Sequence, residues 1–530
     1  MGSSSKAVNK QTQGLGDYAR IVLHDPRFRR LFAVYQTVVG GGRNALRTCL
    51  YRMAFSMSVP WQAAYIWHIE KLAVRASTYI ESNDYDAAYA AQLDAEAIQQ
   101  LDRLDQFAPN LQSTAELRAG FALRAGRTAE YLALQYQIFD LQEKRARPGG
   151  TGNQNIRILE PHFHILIGIG STVNLDTYVK AGILGLRPPT RTVILHEPWL
   201  KRYAANPCLL DYWKQYIEII EDPRELRPLR PQRKRLGFNV TGPMRCGDET
   251  IPWGHSAAAY VQGQWDSQKR PPLLHLTPEH YTRGIEALKT IGLQKDSWFT
   301  TLHVREGKSG KHRFAEPFRD ADPSTYLNAV TAVTNRGGWV VRIGDSSMSP
   351  LPSMPNVYDY ANSSLKSDWM DVFLFAAARF MIGTSSGPAT VSHAFGVPIA
   401  MTNYLPTATL YLGKHDLFIP KLLRRRTDGR MVPFAQQMSL PLSACVSDGM
   451  FKNLHQVEII PNTSQELQEL IEEMIDKLDG ELSNGAEDDI LQTNFKSMTA
   501  EYETLPGLAG VELQCSIGRD FLRRHAKLLD

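Results

Sequence analysis

Two successive series of short apolar runs and helical stretches constrain this chain more than any other feature of its sequence. The first series has a run ending in glycines at 163–171, a helix at 175–186 and a second run at 191–198. The second series begins at 298–306 and keeps the same alternation to about residue 403. Strands that alternate with helices build parallel sheets covered by helices. We therefore expect an α/β protein with two Rossmann-like halves in tandem.

A chain of 530 residues is long enough for more than one core. Before residue 150 the apolar residues recur at helical spacing, and a tetratricopeptide-like hairpin is expected at 115–141. A Pro- and Gly-rich stretch then marks a boundary. The expected divisions are a flexible N-terminus at 1–16, a helical region at 17–150, a first Rossmann-like half at 151–292, a second at 293–460 and C-terminal helices at 461–530.

The composition excludes several classes of protein. The hydrophobic share of 43%, the charged share of 22% and the net charge of +4 are those of an ordinary globular chain, so nucleic acid is not an expected partner. The five cysteines form no CxxC pair, which favours a reducing compartment. The longest apolar run, at 372–383, is too short to cross a bilayer. We expect a cytoplasmic protein.

Two side chains follow the strand predicted around Thr300. His303 and Arg305 lie on one face of it by period-two alternation, near the carboxyl end where sheets of this type bind ligands. The guanidinium fork of Arg305 suits a diphosphate and can stabilise the charge of a departing one. The alternative is a surface arginine paired with Glu306.

The segment at 383–398 places small hydroxyl residues and a glycine between a strand and a helix. Amide groups at a helix N-terminus form an anion site, so the side chains and backbone there are candidate phosphate contacts. The candidates are Ser385, Ser386, Gly387 and Thr390. The alternative, compatible with the first, is an ordinary helix start with Ser386 as N-cap.

Further candidates lie between these two segments. Arg342 and Asp345 end the neighbouring strand, and Asp371 lies in the first turn of a predicted helix. Asp368 is more simply explained as a helix cap.

The order HVRE, VVRIGD and DWMDVFLFAAARFMIGTSS resembles the donor half of GDP-fucose-dependent fucosyltransferases, and SSGPATVSHAFGVP resembles heptosyltransferases. More closely still, 168–403 is similar to a group of bacterial putative glycosyltransferases of the GT-B type. The resemblance implies a nucleotide-sugar donor, with Arg305 on the β-phosphate, His303 and Asp371 at the nucleoside, and Ser385 and Ser386 at phosphate. The chain departs from the fucosyltransferases at Glu306 and Gly307.

An inverting transfer needs a general base near the acceptor hydroxyl. Asp176 follows the glycine turn of the first half, at the position where heptosyltransferases, which this turn resembles, carry a catalytic aspartate. The alternative is a helix-capping role for Asn174 or Asp176. His196 and Glu197, at the end of the next strand, are further candidates for the base.

No metal or cofactor is expected beyond the donor, because arginine and backbone amides can neutralise a leaving diphosphate. The Asp320-Ala321-Asp322 sequence is better explained by helix capping, and His162 and His164 by an ordinary strand. Acceptors considered are a glycan, a lipid-linked acceptor or a small metabolite.

Three basic segments have no assigned role. The arginines between Arg20 and Arg52 suit an anionic membrane surface, a solvated helix face or a contact with the α/β region. Those at 224–235 and 424–426 are expected in loops. The helical region also suggests self-association, and it keeps two rival functions open: an interaction scaffold with a degenerate transferase region, or an epimerase or nucleotide-sugar-binding module.

Overall fold

The fold comes from a computed structural model. It describes residues 69, 79–81, 85–107, 111–146, 156–159, 168–197, 205–238, 244–246, 249–251, 254–294, 297–307, 316–405, 411–501 and 513–530. The basic segment between Arg20 and Arg52 and the His162–His164 pair lie outside the described residues.

The first described helices confirm a helical region ahead of the sheets. They are α1 (Ala87–Phe107), α2 (Gln112–Arg124) and α3 (Thr128–Ala146). Gly126 joins α2 to α3 with φ of 68°, a backbone conformation that favours glycine, so the two helices fold back on each other as predicted. Arg124 in α2 pairs with Asp94 in α1 at 2.7 Å.

The first half contains a parallel sheet in the order β3-β2-β1-β4. Its strands are β1 (Ile156–Leu159), β2 (Arg191–Leu195), β3 (Glu218–Ile220) and β4 (Gly237–Phe238), followed by a small antiparallel pair, β5 (Met244–Cys246) and β6 (Glu249–Ile251). Of the strand expected at 163–171, residues 163–167 lie outside the described residues, and Ile169–Ser171 form a 3-10 turn instead. β1 directly follows the predicted boundary instead.

Helices connect and cover the strands of this half. They are α4 (Thr172–Ile183), α5 (Pro207–Trp213), α6 (Pro223–Leu229), α7 (Arg233–Leu236), α8 (Gly254–Ser267) and α9 (Pro278–Lys289). The expectation of a loop at 224–235 is wrong, because Asp222 accepts the Arg224 N–H and starts α6. Leu226 then buries itself against the sheet.

The second half is a larger parallel sheet in the order β15-β12-β11-β10-β7-β8-β9. When its strands are renumbered 1 to 7 along the chain, their order in the sheet is 7-6-5-4-1-2-3. This is the strand order of a Rossmann fold, in which the chain runs outward in both directions from a central pair, here β7 and β10. The strands are β7 (Phe299–His303), β8 (Trp339–Arg342), β9 (Val357–Asp359), β10 (Met381–Gly383), β11 (Ile399–Tyr404), β12 (Leu417–Pro420) and β15 (Ser516–Ile517).

An antiparallel hairpin lies beside this sheet, formed by β13 (Leu422–Arg425) and β14 (Val457–Ile460). The expectation of a loop at 424–426 is therefore wrong for Arg424 and Arg425, which are ladder residues. The strand β15 also corrects the picture of 461–530 as helices only.

The helices of the second half agree with the predicted alternation. They are α10 (Leu327–Asn335), α11 (Asp368–Ala377), α12 (Gly387–Ala394), α13 (Phe434–Met438), α14 (Ser464–Asp479), α15 (Ala486–Glu501) and α16 (Arg519–Arg524). A capping box starts α14, since Thr463 Oγ1 accepts the Glu466 N–H and the Glu466 carboxylate accepts the Thr463 N–H.

One hydrophobic core runs through both halves, from Leu159 in β1 to Leu522 in α16. Polar contacts reinforce the junction. Asn206 caps α5 and donates its Nδ2 to the backbone oxygen of Asp368 at 2.9 Å, and His280 lies 2.7 Å from the backbone oxygen of Trp369. The predicted α/β class, two Rossmann-type sheets after a helical region, is confirmed, while the domain boundaries stay a prediction.

Candidate functional site

The strands β7 and β10 lie side by side at the point where the order of the second sheet reverses. Their parallel register pairs His303 with Gly383, the last residue of each strand. The chain continues from β7 to β8 on one side and from β10 to β11 on the other. Doubly wound sheets bind ligands beside the carboxyl ends of such a pair. The residues after His303 and Gly383 are therefore the candidate site.

Arg305 ties the two strand ends together. Its backbone N–H donates to Thr384 Oγ1 at 3.1 Å, and its Nη1 donates to Asp320 Oδ1 at 2.5 Å and to the backbone oxygen of Glu316 at 2.6 Å. The side chain is 6% exposed. Burial and the neighbouring Arg319 charge lower the pKa of Arg305. The residue is a buried arginine, so the alternative of a surface arginine is wrong.

Glu306, the other partner considered for Arg305, instead pairs with Arg342. Arg342 Nη2 lies 2.6 Å from Glu306 Oε1, and the two side chains are 0% and 3% exposed. The second guanidinium nitrogen of Arg342 faces Asp359 at 3.6 Å. Arg342 is thus enclosed among carboxylates inside the protein.

The turn at 384–387 starts α12 as predicted, with Ser386 at the N-cap and Pro388 in the first turn. The Ser386 hydroxyl makes no capping hydrogen bond. The first amides of a helix have no acceptor within the helix, and they form a positive end that favours an anion. The backbone oxygen of Ser385 accepts both Arg319 Nε and Arg319 Nη2, at 2.9 and 2.5 Å.

The two halves meet at this turn. Thr390 Oγ1 lies 3.0 Å from the backbone oxygen of Ile169 and 2.7 Å from that of Gly387, and its single hydroxyl hydrogen can be donated to either. A Cβ atom on Gly387 would lie 3.0 Å from the backbone nitrogen of Gly170, which shows how closely the backbones approach. The Thr390 hydroxyl therefore lies where the two halves touch.

Asp176 lies inside α4 and is not a cap, since the N-cap of that helix is Ser171. Its Oδ2 is 2.6 Å from Lys180 Nζ and 3.8 Å from His393 Nε2, a residue of the second half. The Asp176 side chain is 2% exposed, and within the described part of the chain its Oδ1 has no hydrogen-bond partner. Burial raises the pKa of Asp176, although the Lys180 charge opposes the shift.

The groups around Asp176 form a polar cluster inside the junction. Lys180 also donates to Gln262 Oε1 at 2.9 Å. Burial, together with the Lys180 charge, holds the pKa of His393 well below its usual range. The ring of Tyr411 lies edge-on to His393 with centroids 5.2 Å apart. A carboxylate of the first half and an imidazole of the second thus share one buried cluster.

The remaining candidates of the second half lie around the same sheet with their own partners. His303 is buried at the end of β7. Asp345 Oδ1 accepts the Ser347 N–H at 2.8 Å. Asp371 accepts from Lys366 Nζ and, at 2.7 Å, from Tyr360 Oη, and burial raises its pKa. The structure brings Arg305, Ser385, Ser386, Gly387 and Thr390 together, whereas Arg342, Asp345 and Asp371 have separate surroundings.

The alternative bases in the first half are also engaged. His196 Nδ1 lies 2.6 Å from Glu221 Oε1, and Glu197 holds Arg230 with two hydrogen bonds of 2.8 and 2.6 Å. Period-two geometry separates adjacent strand residues, and the different partners of the two side chains agree with it.

Sequence reasoning missed Glu316, Arg319, Lys180 and His393. The spacing of four between Asp176 and Lys180 on one helix was a usable signal. No local pattern links Arg319 to Ser385 across 66 positions. The Asp320–Asp322 prediction is half right, since Asp322 caps a short 3-10 helix (Pro323–Tyr326) while Asp320 pairs with Arg305.

Among the residues that the structure describes, no group of three or more His, Cys, Asp or Glu side chains is arranged to hold a metal ion. In the same part of the chain, every helix is too short or too polar to span a bilayer.

No family model and no curated protein matches the chain. Among solved structures, it is similar to a glycosyl transferase family 9 protein from Veillonella parvula, with 12% identity over 60% of this chain and 96% of the other, at a TM-score of 0.34. It is also similar to ADP-heptose lipopolysaccharide heptosyltransferase II of E. coli, with 13% identity over 50% and 90% and a TM-score of 0.32.

A third similar structure is the iron-containing dodecameric glycosyltransferase TibC of enterotoxigenic E. coli, with 11% identity over 62% of this chain and 77% of the other, at a TM-score of 0.34. TM-scores this low do not assign an activity. What the sheets and their switch point define is a double Rossmann-like α/β protein with a candidate anion site.

Proposed function

We propose that this protein is a glycosyltransferase that moves a sugar from a nucleoside diphosphate donor to a hydroxyl acceptor. The observation that carries the proposal is the meeting of the two halves at the switch point of the second sheet. There the turn at 384–387 and Arg305 lie on one side, and the Gly168–Asp176 segment lies on the other. Two-domain α/β proteins commonly bind ligands between their domains.

The donor side is built for a diphosphate. The first amides of α12 and the hydroxyls of Ser385 and Ser386 supply donors, and the Arg305 guanidinium supplies the charge. His303 and Asp371 remain the candidates for the nucleoside. Arg342 is 0% exposed beside Glu306, and the Thr390 hydroxyl contacts backbone oxygens at the junction, so neither is proposed as a phosphate contact.

Asp176 is the proposed base of the first half. Burial makes its carboxylate a stronger base, because desolvation raises its pKa. Its Oδ2 pairs with Lys180, and its Oδ1 is left to accept a hydrogen bond from the hydroxyl of the acceptor substrate. The acceptor reaches this carboxylate only if the junction around His393 opens. His196 and Glu197 are the alternatives.

The chemistry follows from these positions. The bond between the anomeric carbon and the donor phosphate oxygen breaks, and its electron pair stays on the diphosphate, whose charge Arg305 and the α12 amides stabilise. The acceptor oxygen forms the new bond to the anomeric carbon. Its proton passes to Asp176. No metal ion is needed in this scheme, and a GDP-sugar is the donor favoured by the sequence resemblance.

The test is a thermal-shift series with GDP, UDP, CDP, ADP and their sugars. It compares the native chain with Arg305→Lys, Arg305→Ala and the control Arg336→Ala, whose exposed guanidinium pairs with Asp476. We expect one diphosphate to raise the melting temperature of the native chain and of the control, but not of the Arg305 variants. Each variant is compared with its own ligand-free melting curve, which separates loss of binding from loss of stability.

Asp176→Asn is then expected to bind the donor as the native chain does but to transfer no sugar, so that no nucleoside diphosphate is released. No response to any nucleotide would eliminate the enzyme and favour an interaction scaffold. Conversion of the donor sugar in the absence of an acceptor would favour an epimerase.

A further inference from the structure

Two guanidinium groups flank a single carboxylate beside the switch point. Arg319 Nη1 pairs closely with Glu316 Oε2, and Arg305 Nη2 lies 3.7 Å from the same oxygen. Arg305 Nη1 is simultaneously held by Asp320. One oxygen of Glu316 is therefore the point on which two cationic side chains converge.

Glu316 and Arg319 are more accessible to a ligand than Arg305. The Arg305 side chain is 6% exposed and fixed from several directions, whereas those of Glu316 and Arg319 are 27% and 26% exposed. The positive charge of Arg319 also contributes to lowering the pKa of Arg305. Carboxylates beside two such like charges offset their repulsion. Of the carboxylates here, Glu316 is the one that both guanidinium groups contact, and it is partly exposed.

Arg319 has a second connection to the site. Its Nε and Nη2 form a fork on the backbone oxygen of Ser385. In a trans peptide the carbonyl and the following N–H point in opposite directions. The fork therefore fixes the Ser385–Ser386 peptide, so that the Ser386 N–H is directed away from Arg319.

We propose that Arg319 and Arg305 together bind the two phosphates of the donor, and that Glu316 occupies the place of a phosphate oxygen while the donor is absent. This inference rests on the proposed function, which it deepens by adding a second cation and an internal competitor. Nucleotide binding displaces the Glu316 carboxylate, and the guanidinium groups exchange one anion for another.

The arrangement selects for a diphosphate over a monophosphate. A carboxylate or a single phosphate can be held between the two arginines, but only a second phosphate also reaches the α12 amides beside Ser385. Planar guanidinium groups bind such oxygens in pairs, which lysine does not do. Diphosphate preference, rather than nucleoside affinity, is thus the property that depends on Arg319.

The test measures the binding of GDP, GMP and inorganic pyrophosphate by calorimetry to the native chain, Arg305→Lys, Arg319→Ala, Arg319→Lys and Glu316→Gln. The matched controls are Arg336→Ala and Asp476→Asn, an arginine and a carboxylate that form an exposed pair elsewhere on the second half. Ligand-free melting curves check that every variant is folded.

We expect Arg319→Ala to weaken GDP and pyrophosphate binding about tenfold or more, as for loss of a charge-assisted hydrogen bond, and GMP binding less. Arg319→Lys recovers only part of this loss. Glu316→Gln tightens pyrophosphate binding several-fold, because the competing charge is gone, and the controls change nothing.

The signs of these effects separate the outcomes. Weaker binding in Glu316→Gln would mean that the carboxylate only positions the arginines, and unchanged diphosphate binding in Arg319→Ala would remove Arg319 from the site. Either result overturns the two-arginine arrangement while binding that depends on Arg305 persists. A native chain that binds neither pyrophosphate nor any of the four nucleoside diphosphates would overturn the proposed function as well.

Discussion

The backbone N–H of Arg305 donates to the hydroxyl of Thr384 at 3.1 Å, which joins the ends of β7 and β10 where the sheet order reverses. Thr384 is fully buried, so the bond fixes the start of the 384–387 turn relative to the arginine. The bond therefore ties the backbone of Arg305 to the turn that leads into α12, the two parts of the proposed diphosphate site.

Thr384→Val keeps the shape of the side chain and removes the acceptor. The buried Arg305 N–H then lacks its partner, which costs about 1–3 kcal/mol of stability. We expect a lower free energy of unfolding, measured in denaturant, together with weaker diphosphate binding. Thr384→Ser retains the hydroxyl and serves as the control. Equal binding by the valine and serine variants would show that the bond does not organise the site.

Lys180→Met leaves the Asp176 carboxylate buried without its counter-charge. Breaking a buried ion pair in this way costs about 3–5 kcal/mol, and the double variant with Asp176→Asn recovers part of that loss. The matched control is Lys289→Met, which removes an exposed pair with Glu286 and costs under about 1 kcal/mol. Denaturant unfolding of the four chains of the cycle measures the coupling. Additive losses would mean that the Asp176–Lys180 contact contributes nothing.

Gly387→Ala places a methyl group against the first half. Its Cβ would lie 2.7 Å from Ile169 Cγ1 and 3.0 Å from the Gly170 nitrogen, so the junction must shift. We expect a lower melting temperature and weaker diphosphate binding. Gly120→Ala is the control, because the nearest neighbouring atom of its Cβ is at 3.9 Å and alanine favours the α2 helix. A Gly387→Ala variant as stable as the native chain would indicate that the halves do not meet in this way.

The buried carboxyl group of Glu473 should make the stability of the protein depend on pH. Burial raises its pKa from 4.5 to about 7. Between those pH values the folded protein binds more protons at this site than the unfolded chain, so the contribution of Glu473 to the free energy of unfolding falls as the pH rises. Glu473→Gln keeps an acceptor for the Arg519 N–H and removes the titration.

The difference in free energy of unfolding between the native chain and Glu473→Gln should therefore grow from pH 4.5 to pH 7 and then level off. The glutamine variant becomes more stable above pH 7 by on the order of 3 kcal/mol at most. Thermal unfolding across this range measures it, with the exposed Glu481→Gln as the control. A constant difference at all pH values would contradict the raised pKa.

Local patterns in the sequence determined the elements that carry the site. Alternating apolar runs predicted β7, β10 and the helix that starts at Gly387, and α14 begins at a capping box whose two residues, Thr463 and Glu466, are three positions apart. These features depend on hydrophobic periodicity and on hydrogen bonds within a few residues, which a linear sequence records.

Only the tertiary structure decided which groups meet. Arg305 pairs with Asp320 instead of Glu306, Asp176 lies beside His393, and Arg319 holds Ser385. It also placed β15 at the edge of the second sheet. These partners are set by strand order and by the packing of two halves, so the choice among several possible ion pairs follows from burial and distance, neither of which local periodicity specifies.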